Sequence, residues 1–236
     1  MQHKAEGLHV EINGREWTTD RLNPVIFEPR PAALGVSSLS GFSEYIAANR
    51  DSVNLEKAIV IIEDVDKVVL ASELGGEKLE RSYFIRAEVD KKLKGYPFDQ
   101  FMSVEAFVVA LRSLFEATTD RDDVLSYVSK VSGGSSFTLD DDGISQNVAV
   151  KAGVSGAMMA NETTRGIVRL RPYRTFRDIE QPESEFLLRM KLIDTEKQTV
   201  GVTIFEADGG RWRNQAINTI AQYLRDKLPA NLAIVG

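Results

Sequence analysis

Residues 166–192 read G-I-V-R-L-R-P-Y-R-T-F-R-D-I-E-Q-P-E-S-E-F-L-L-R-M-K-L, and this stretch decides both the fold and the candidate site. Side chains of an extended chain alternate with period two. A strand over 167–173 therefore places Arg169, Arg171 and Tyr173 on one face, with Arg174, Phe176 and Arg177 directly after it. Arg165 precedes them, and no carboxylate falls between Arg165 and Arg177. Guanidinium groups around an aromatic ring suit an anionic, planar ligand, either a nucleotide or a single strand of nucleic acid. The competing reading pairs the same arginines with the nearby acids Asp178, Glu180, Glu183 and Glu185, as most surface charges are paired or solvated.

Working outward, strands are expected at 137–140, 144–152, 185–194 and 199–206, with turns at Asp140 to Gly143 and Thr195 to Gln198. A helix over about 211–227 spaces Trp212, Ala216, Ile220 and Leu224 for one buried face, and Pro229 ends it. Upstream, Ser103 caps a helix with Val104, Phe107, Val108, Leu111, Leu114 and Phe115 on one side. A second helix starts near Asp120, buries Val124, Leu125, Val128 and Val131, and stops at Gly133-Gly134. Before these, Leu8, Val10 and Ile12 alternate up to Asn13-Gly14, the strongest short hairpin signal. A short helix follows at 39–49, and strands at 58–62, 67–71 and 80–89. Runs of strands interrupted by blocks of helix give an α+β fold with mainly antiparallel sheets, a central helical pair over 99–132 and a C-terminal helix on the sheet. The expectation is one domain over 1–236, with sub-halves 1–98 and 133–236 joined by the pair. The last helix is expected to lie on the sheet from 135–206, with Trp212, Ile220 and Leu224 facing it.

Composition narrows the function. The 236 residues carry a net charge of −6, so a broad basic footprint for duplex DNA is absent and any nucleic-acid contact is local. No window offers the roughly 20 apolar residues that span a bilayer. The opening MQHKAEGLHVEING has no apolar core of signal-peptide type, so a cytoplasmic protein is expected. The absence of cysteine removes disulfides, thiolate metal sites and thiol nucleophiles together.

Catalytic signatures are scarce. His3 and His9, both near the start, are the only histidines, and a catalytic base has to be held by its neighbours. Neither a phosphate loop of the G-x-x-x-x-G-K-[ST] type nor a G-x-G-x-x-G fingerprint occurs. Gly209 and Gly210, just before the last helix, offer backbone N–H groups to a phosphate, with Arg211 and Arg213 adding charge. Alternatively, Asp208-Gly209 is a tight turn and Asp208 caps the helix. Asp140-Asp141-Asp142-Gly143 lacks the ligand spacing of a calcium loop and reads as a hairpin turn. No metal or cofactor is expected.

The stretches F-M-S-V-E-A-F-V-V-A-L, D-D-G-I-S-Q-N-V-A-V-K-A-G-V, L-R-P-Y-R-T-F and A-D-G-G-R-W occur in that order. Together they resemble phage and prophage proteins of the YfdQ-like type, a domain of unknown function, over about residues 37–230. The resemblance implies a bacteriophage or prophage origin, a non-structural product and a bacterial host cell, and it supplies no functional residues. The expected function is binding without covalent chemistry. The ligand would be anionic and nucleotide-containing, a single strand in phage replication or recombination or a host signalling nucleotide. Arg169, Arg171, Tyr173 and Arg174 would hold it, with Gly209, Gly210 and Arg211 as a phosphate seat. The alternative is a protein-interaction or scaffold module, a homo-oligomer that inhibits a host protein, with the same residues at its interface.

Overall fold

The computed structural model describes residues 9–18, 32–76, 79–92, 95–131, 136–141, 146–152, 157–163, 166–194 and 199–236. The chain divides into two compact units, residues 1–33 and 34–236. In the first, β1 (His9–Ile12) and β2 (Arg15–Thr18) form the expected antiparallel hairpin, with Val10 opposite Trp17. Its turn puts Asn13 at φ 55° and Gly14 at φ 74°. Two successive left-handed residues match the twist of the flanking strands, which is why Asn-Gly closes the turn.

The second unit is α+β, with helices packed against mainly antiparallel sheets. One sheet has five strands in the order β14-β4-β5-β6-β3. Its members are β3 (Leu34–Val36), β4 (Ala58–Asp64), β5 (Lys67–Ser72), β6 (Tyr83–Glu88) and β14 (Ala233–Val235). The three central strands run antiparallel, and the short β3 and β14 join the edges in parallel. On one face lie α1 (Leu39–Ala48) and α4 (Arg211–Lys227). Leu39, Phe42 and Ile46 from α1 and Ile220 and Leu224 from α4 meet Val60, Val68, Leu70 and Ile85 in one core.

A second core fills a four-stranded antiparallel sheet in the order β11-β12-β13-β7. Here β7 is Met102–Ser103, β11 is Ile167–Leu170, β12 is Ser184–Asp194 and β13 is Thr199–Glu206. The helical pair α2 (Val104–Leu114) and α3 (Thr119–Val131) covers one face. Phe107, Leu111, Val124 and Val128 pack there on Phe186, Leu188, Val202 and Ile204. Ser103 caps α2 as its sequence predicts, its Oγ accepting from the Ala106 N–H at 3.3 Å. A third antiparallel sheet comprises β8 (Ser136–Asp141), β9 (Gln146–Ala152) and β10 (Ala157–Thr163). The Gly133-Gly134 stop and the Thr195 to Gln198 turn lie outside the described residues, as does the end of the Asp140 to Gly143 turn.

Three features depart from the sequence expectation. First, α4 packs on β4 and β14 rather than on the sheet from 135–206. The periodicity of a helix reveals its buried face but not its partner, and β14, just beyond the helix, returns the chain to the five-stranded sheet. Second, β10 is a strand although Ala157-Met-Met-Ala-Asn-Glu-Thr163 has a single β-branched residue, Thr163, and no aromatic one to signal it. Third, the strand over 167–173 stops at Leu170. Pro172 has no N–H to donate, and the chain bends away to bridge Phe115.

That bend is the structural centre of the unit. Leu170 lies in the helical-pair core, whereas Phe176 and Ile179 lie in the five-stranded-sheet core. The Thr175 hydroxyl donates to the Val65 carbonyl at the β4–β5 turn. The buried Gln181 amide accepts from the Arg174 and Thr175 N–H groups and donates to the Phe176 and Ile179 carbonyls. Asp178 accepts from Leu39 N at 3.1 Å and Ser40 N at 3.0 Å, capping α1 from a distant part of the chain. Burial raises the Asp178 carboxyl pKa, but the Ser40 and Leu39 hydrogen bonds outweigh this and hold it below the usual carboxylate value. Residues 171–183 thus form a strut between two cores, tied within itself by the Gln181 amide and to other parts of the unit by Thr175 and Asp178.

Candidate binding cleft

The expected site residues separate along this strut. Arg169, on β11, projects from the face opposite the core, with its side chain 63% exposed and Nη2 3.1 Å from Glu185. Its backbone N–H donates to the Asp120 carboxylate at 3.0 Å, so the first turn of α3 closes the edge of β11. Arg171 is surrounded by acids: its Nη1 pairs with Glu180 and stands 3.9 Å from Glu116, and its Nε faces Glu183 at 3.5 Å. Burial lowers the Arg171 pKa, and the three carboxylates more than restore it. These pairs include three of the four acids named as competitors for the arginines.

Arg174 faces inward. Its side chain is 12% exposed, Nη1 lies 2.5 Å from Glu206, and Nη2 donates to Ser184 Oγ. The guanidinium lies over the Trp212 ring, 3.7 Å from its centroid, and 5.8 Å from that of Phe186. Burial lowers its pKa, against the opposing effect of Glu206. Arg174 is therefore a packed ion-pair residue. Tyr173 was expected to share a face with Arg169 and Arg171. Instead it donates its N–H to Leu114 and carries the Arg177 guanidinium on its ring at 3.7 Å. Because β11 has ended at Leu170, strand alternation does not set its direction.

Gly209 and Gly210 adopt φ 64° and 80° at the start of α4. The Gly210 N–H donates to Asp208 Oδ1 at 2.9 Å and the Arg213 N–H to the Gly210 carbonyl at 3.0 Å. These backbone donors are engaged by the turn itself, with the Asp208 carboxylate beside them. The geometry is that of the tight turn weighed against a phosphate seat.

Three of the expected residues do converge. Arg169, Arg171 and Arg211 line one cleft of about 460 Å³, together with Glu183, Glu185, Asp208 and Gln215. A wider cleft of about 800 Å³ lies on the other side of Arg169 and Arg171, where Thr118, Thr119, Asp120 and Ile167 replace the α4 residues. The Arg169–Glu185 and Arg171–Glu183 pairs thus stand between two adjoining hollows. The signal for Glu183 and Glu185 was present in their closeness to the arginines. The contributions of Asp208 and Gln215 depend on where α4 begins, and periodicity does not reveal that.

No protein-family model, no curated protein and no solved structure matches this chain. Among the described residues, no helix is long and apolar enough to cross a membrane, and no cluster of three or more metal-ligating side chains is present.

Proposed function

We propose that this protein binds a compact anionic ligand of nucleotide type in the cleft between β11, β12 and the start of α4, without covalent chemistry. The observation that carries the proposal is the meeting of Arg169 and Arg171, from β11 and its end, with Arg211, from the start of α4, in one hollow of a chain with net charge −6. The volume lies within the range typical of small-molecule sites, about 300–1,000 Å³.

The mixed charge of the lining narrows the ligand class. Glu183, Glu185 and Asp208 balance the three arginines, which disfavours a bare polyanion here. A nucleotide has a phosphate for the guanidinium groups and ribose hydroxyls or an exocyclic amine for the carboxylates. The Arg169–Glu185 bridge is exposed on both sides and contributes only about 0–1 kcal/mol, so a phosphate exchanges for Glu185 at small cost. In the prophage setting implied by the sequence resemblance, a host signalling nucleotide is the matching ligand. Titrating the protein calorimetrically with nucleoside mono- and diphosphates tests the proposal. Saturable binding that Arg169→Ala and Arg211→Ala each weaken supports it, and absence of heat with every nucleotide refutes it.

A further inference from the structure

The two hollows that flank the Arg169–Glu185 and Arg171–Glu183 pairs differ in charge. In the narrower one three guanidinium groups meet three carboxylates. The wider one lacks Arg211 and Asp208 and gains Asp120, so three carboxylates face two guanidinium groups. Arg171 is already held by Glu180, Glu183 and Glu116. Arg169 has one side-chain partner, Glu185, and its own side chain is 63% exposed. An incoming anion therefore exchanges for Glu185 at Arg169, on the ridge between the hollows. The wider hollow beyond that ridge disfavours a second phosphate.

The walls of the wider hollow suit a neutral group with a flat apolar face and polar edges. Ile167 is 49% exposed and offers the apolar surface. Thr119 and Asp120, in the first turn of α3, and Thr118 just before it supply hydroxyl and carboxylate acceptors. The Asp120 carboxylate accepts from the Arg169 N–H, which fixes this wall against β11. A nucleoside has the matching parts: a base to lie on Ile167, and ribose hydroxyls or an exocyclic amine to donate to Thr119 and Asp120. The two hollows share Arg169, Arg171, Glu183 and Glu185, so the side chains of one ridge separate them.

We infer that the ligand is a dinucleotide, two nucleosides joined by a phosphodiester. This rests on the nucleotide-binding reading of the cleft and names its ligand class. One nucleoside lies in the narrower hollow, with Asp208 and Gln215 at its polar edges and Arg211 beside it. The phosphodiester crosses the ridge on Arg169, whose guanidinium fork donates two hydrogen bonds to it. The second nucleoside fills the wider hollow and brings no further negative charge to its three carboxylates. Because the first nucleoside tethers the second, the contacts of the second add affinity as an intramolecular event. A dinucleotide therefore binds more tightly than either of its halves.

Calorimetric titration with AMP and GMP, with the linear dinucleotides ApA and GpG, and with cyclic di-AMP and cyclic di-GMP tests the inference. A dinucleotide, linear or cyclic, should bind at least about tenfold more tightly than the mononucleotide of the same base, and the tighter form tells the two apart. Ile167→Thr, which keeps a neutral β-branched residue, should weaken the dinucleotide about fourfold through lost apolar contact. It should leave the mononucleotide unchanged, because Ile167 does not line the narrower hollow. A thermal melt verifies that the variant is folded. If it is not, Thr119→Ala, at an exposed position, makes the same comparison. Saturable mononucleotide binding with no gain for any dinucleotide overturns the inference and leaves the nucleotide reading standing. Equal weakening of both ligands by a folded variant also overturns it. Absence of binding by all six compounds overturns the nucleotide reading, and the inference with it.

Discussion

At the residue scale, arginines eight or fewer positions apart occupy different physical roles. Arg169 makes one exposed ion pair, and Arg169→Ala should change unfolding free energy by only ~0–1 kcal/mol in urea titration. Arg174 is enclosed by Glu206, Ser184, Trp212 and Phe186. Arg174→Ala should cost about 2 kcal/mol in the same titration, because it strands Glu206 and empties the space over Trp212. Equal effects of the two substitutions would contradict this division. Gly201 is a different case: a Cβ there would strike the β-branched Ile193 side chain. Gly201→Ala should destabilise by about 1–3 kcal/mol through overpacking, whereas Ala at Gly14, which has open space but φ 74°, is strained only in its turn. Sequence composition does not distinguish such residues. Arg169 and Arg174 look alike until the Pro172 bend is known.

At the element scale, the sequence reveals those pieces whose signal is local. The Asn13-Gly14 hairpin, the Ser103 cap, the antiparallel β4–β5 pair and the apolar faces of α2 and α3 follow from turn chemistry and periodicity. The short edge strands β3, β7 and β14 do not, since two or three residues carry no period. The cap of α1 is only half legible: Ser38 Oγ accepts from the Gly41 N–H nearby, but Asp178 caps Leu39 and Ser40 from 139 and 138 residues away. Asp178→Ala should destabilise by about 1 kcal/mol, as cap removals do. The sign with pH follows from the depressed carboxyl pKa. The contribution is present above the ordinary carboxylate pKa of about 3.9 and fades as pH falls through the lower folded value. Melts of wild type and variant should therefore differ near neutrality and converge in strong acid. A gap that persists in acid would assign the effect to packing.

At the scale of the whole molecule, two cores share one strut, and the cleft lies where that strut leaves β11 and α4 begins. The arginine-rich stretch was legible as a local concentration of cations in an acidic chain. Which of its arginines line the cleft was not, because burial of Arg174 depends on Trp212 of α4, far along the sequence, whereas the pairing of Arg171 with the nearby Glu180 and Glu183 was legible. Arg211 is the residue that separates binding from architecture. It sits at the positive end of the α4 dipole, where a cation is unfavourable by about 0.3–1 kcal/mol, and it lines the cleft with Arg169 and Arg171. The most direct measurement is calorimetric titration of wild type and Arg211→Glu with a nucleoside diphosphate, alongside their thermal melts. The proposed function predicts saturable binding by wild type and none by Arg211→Glu, with the variant folded and as stable as wild type or slightly more. Binding that survives Arg211→Glu unchanged, or wild type that binds no nucleotide, would contradict it.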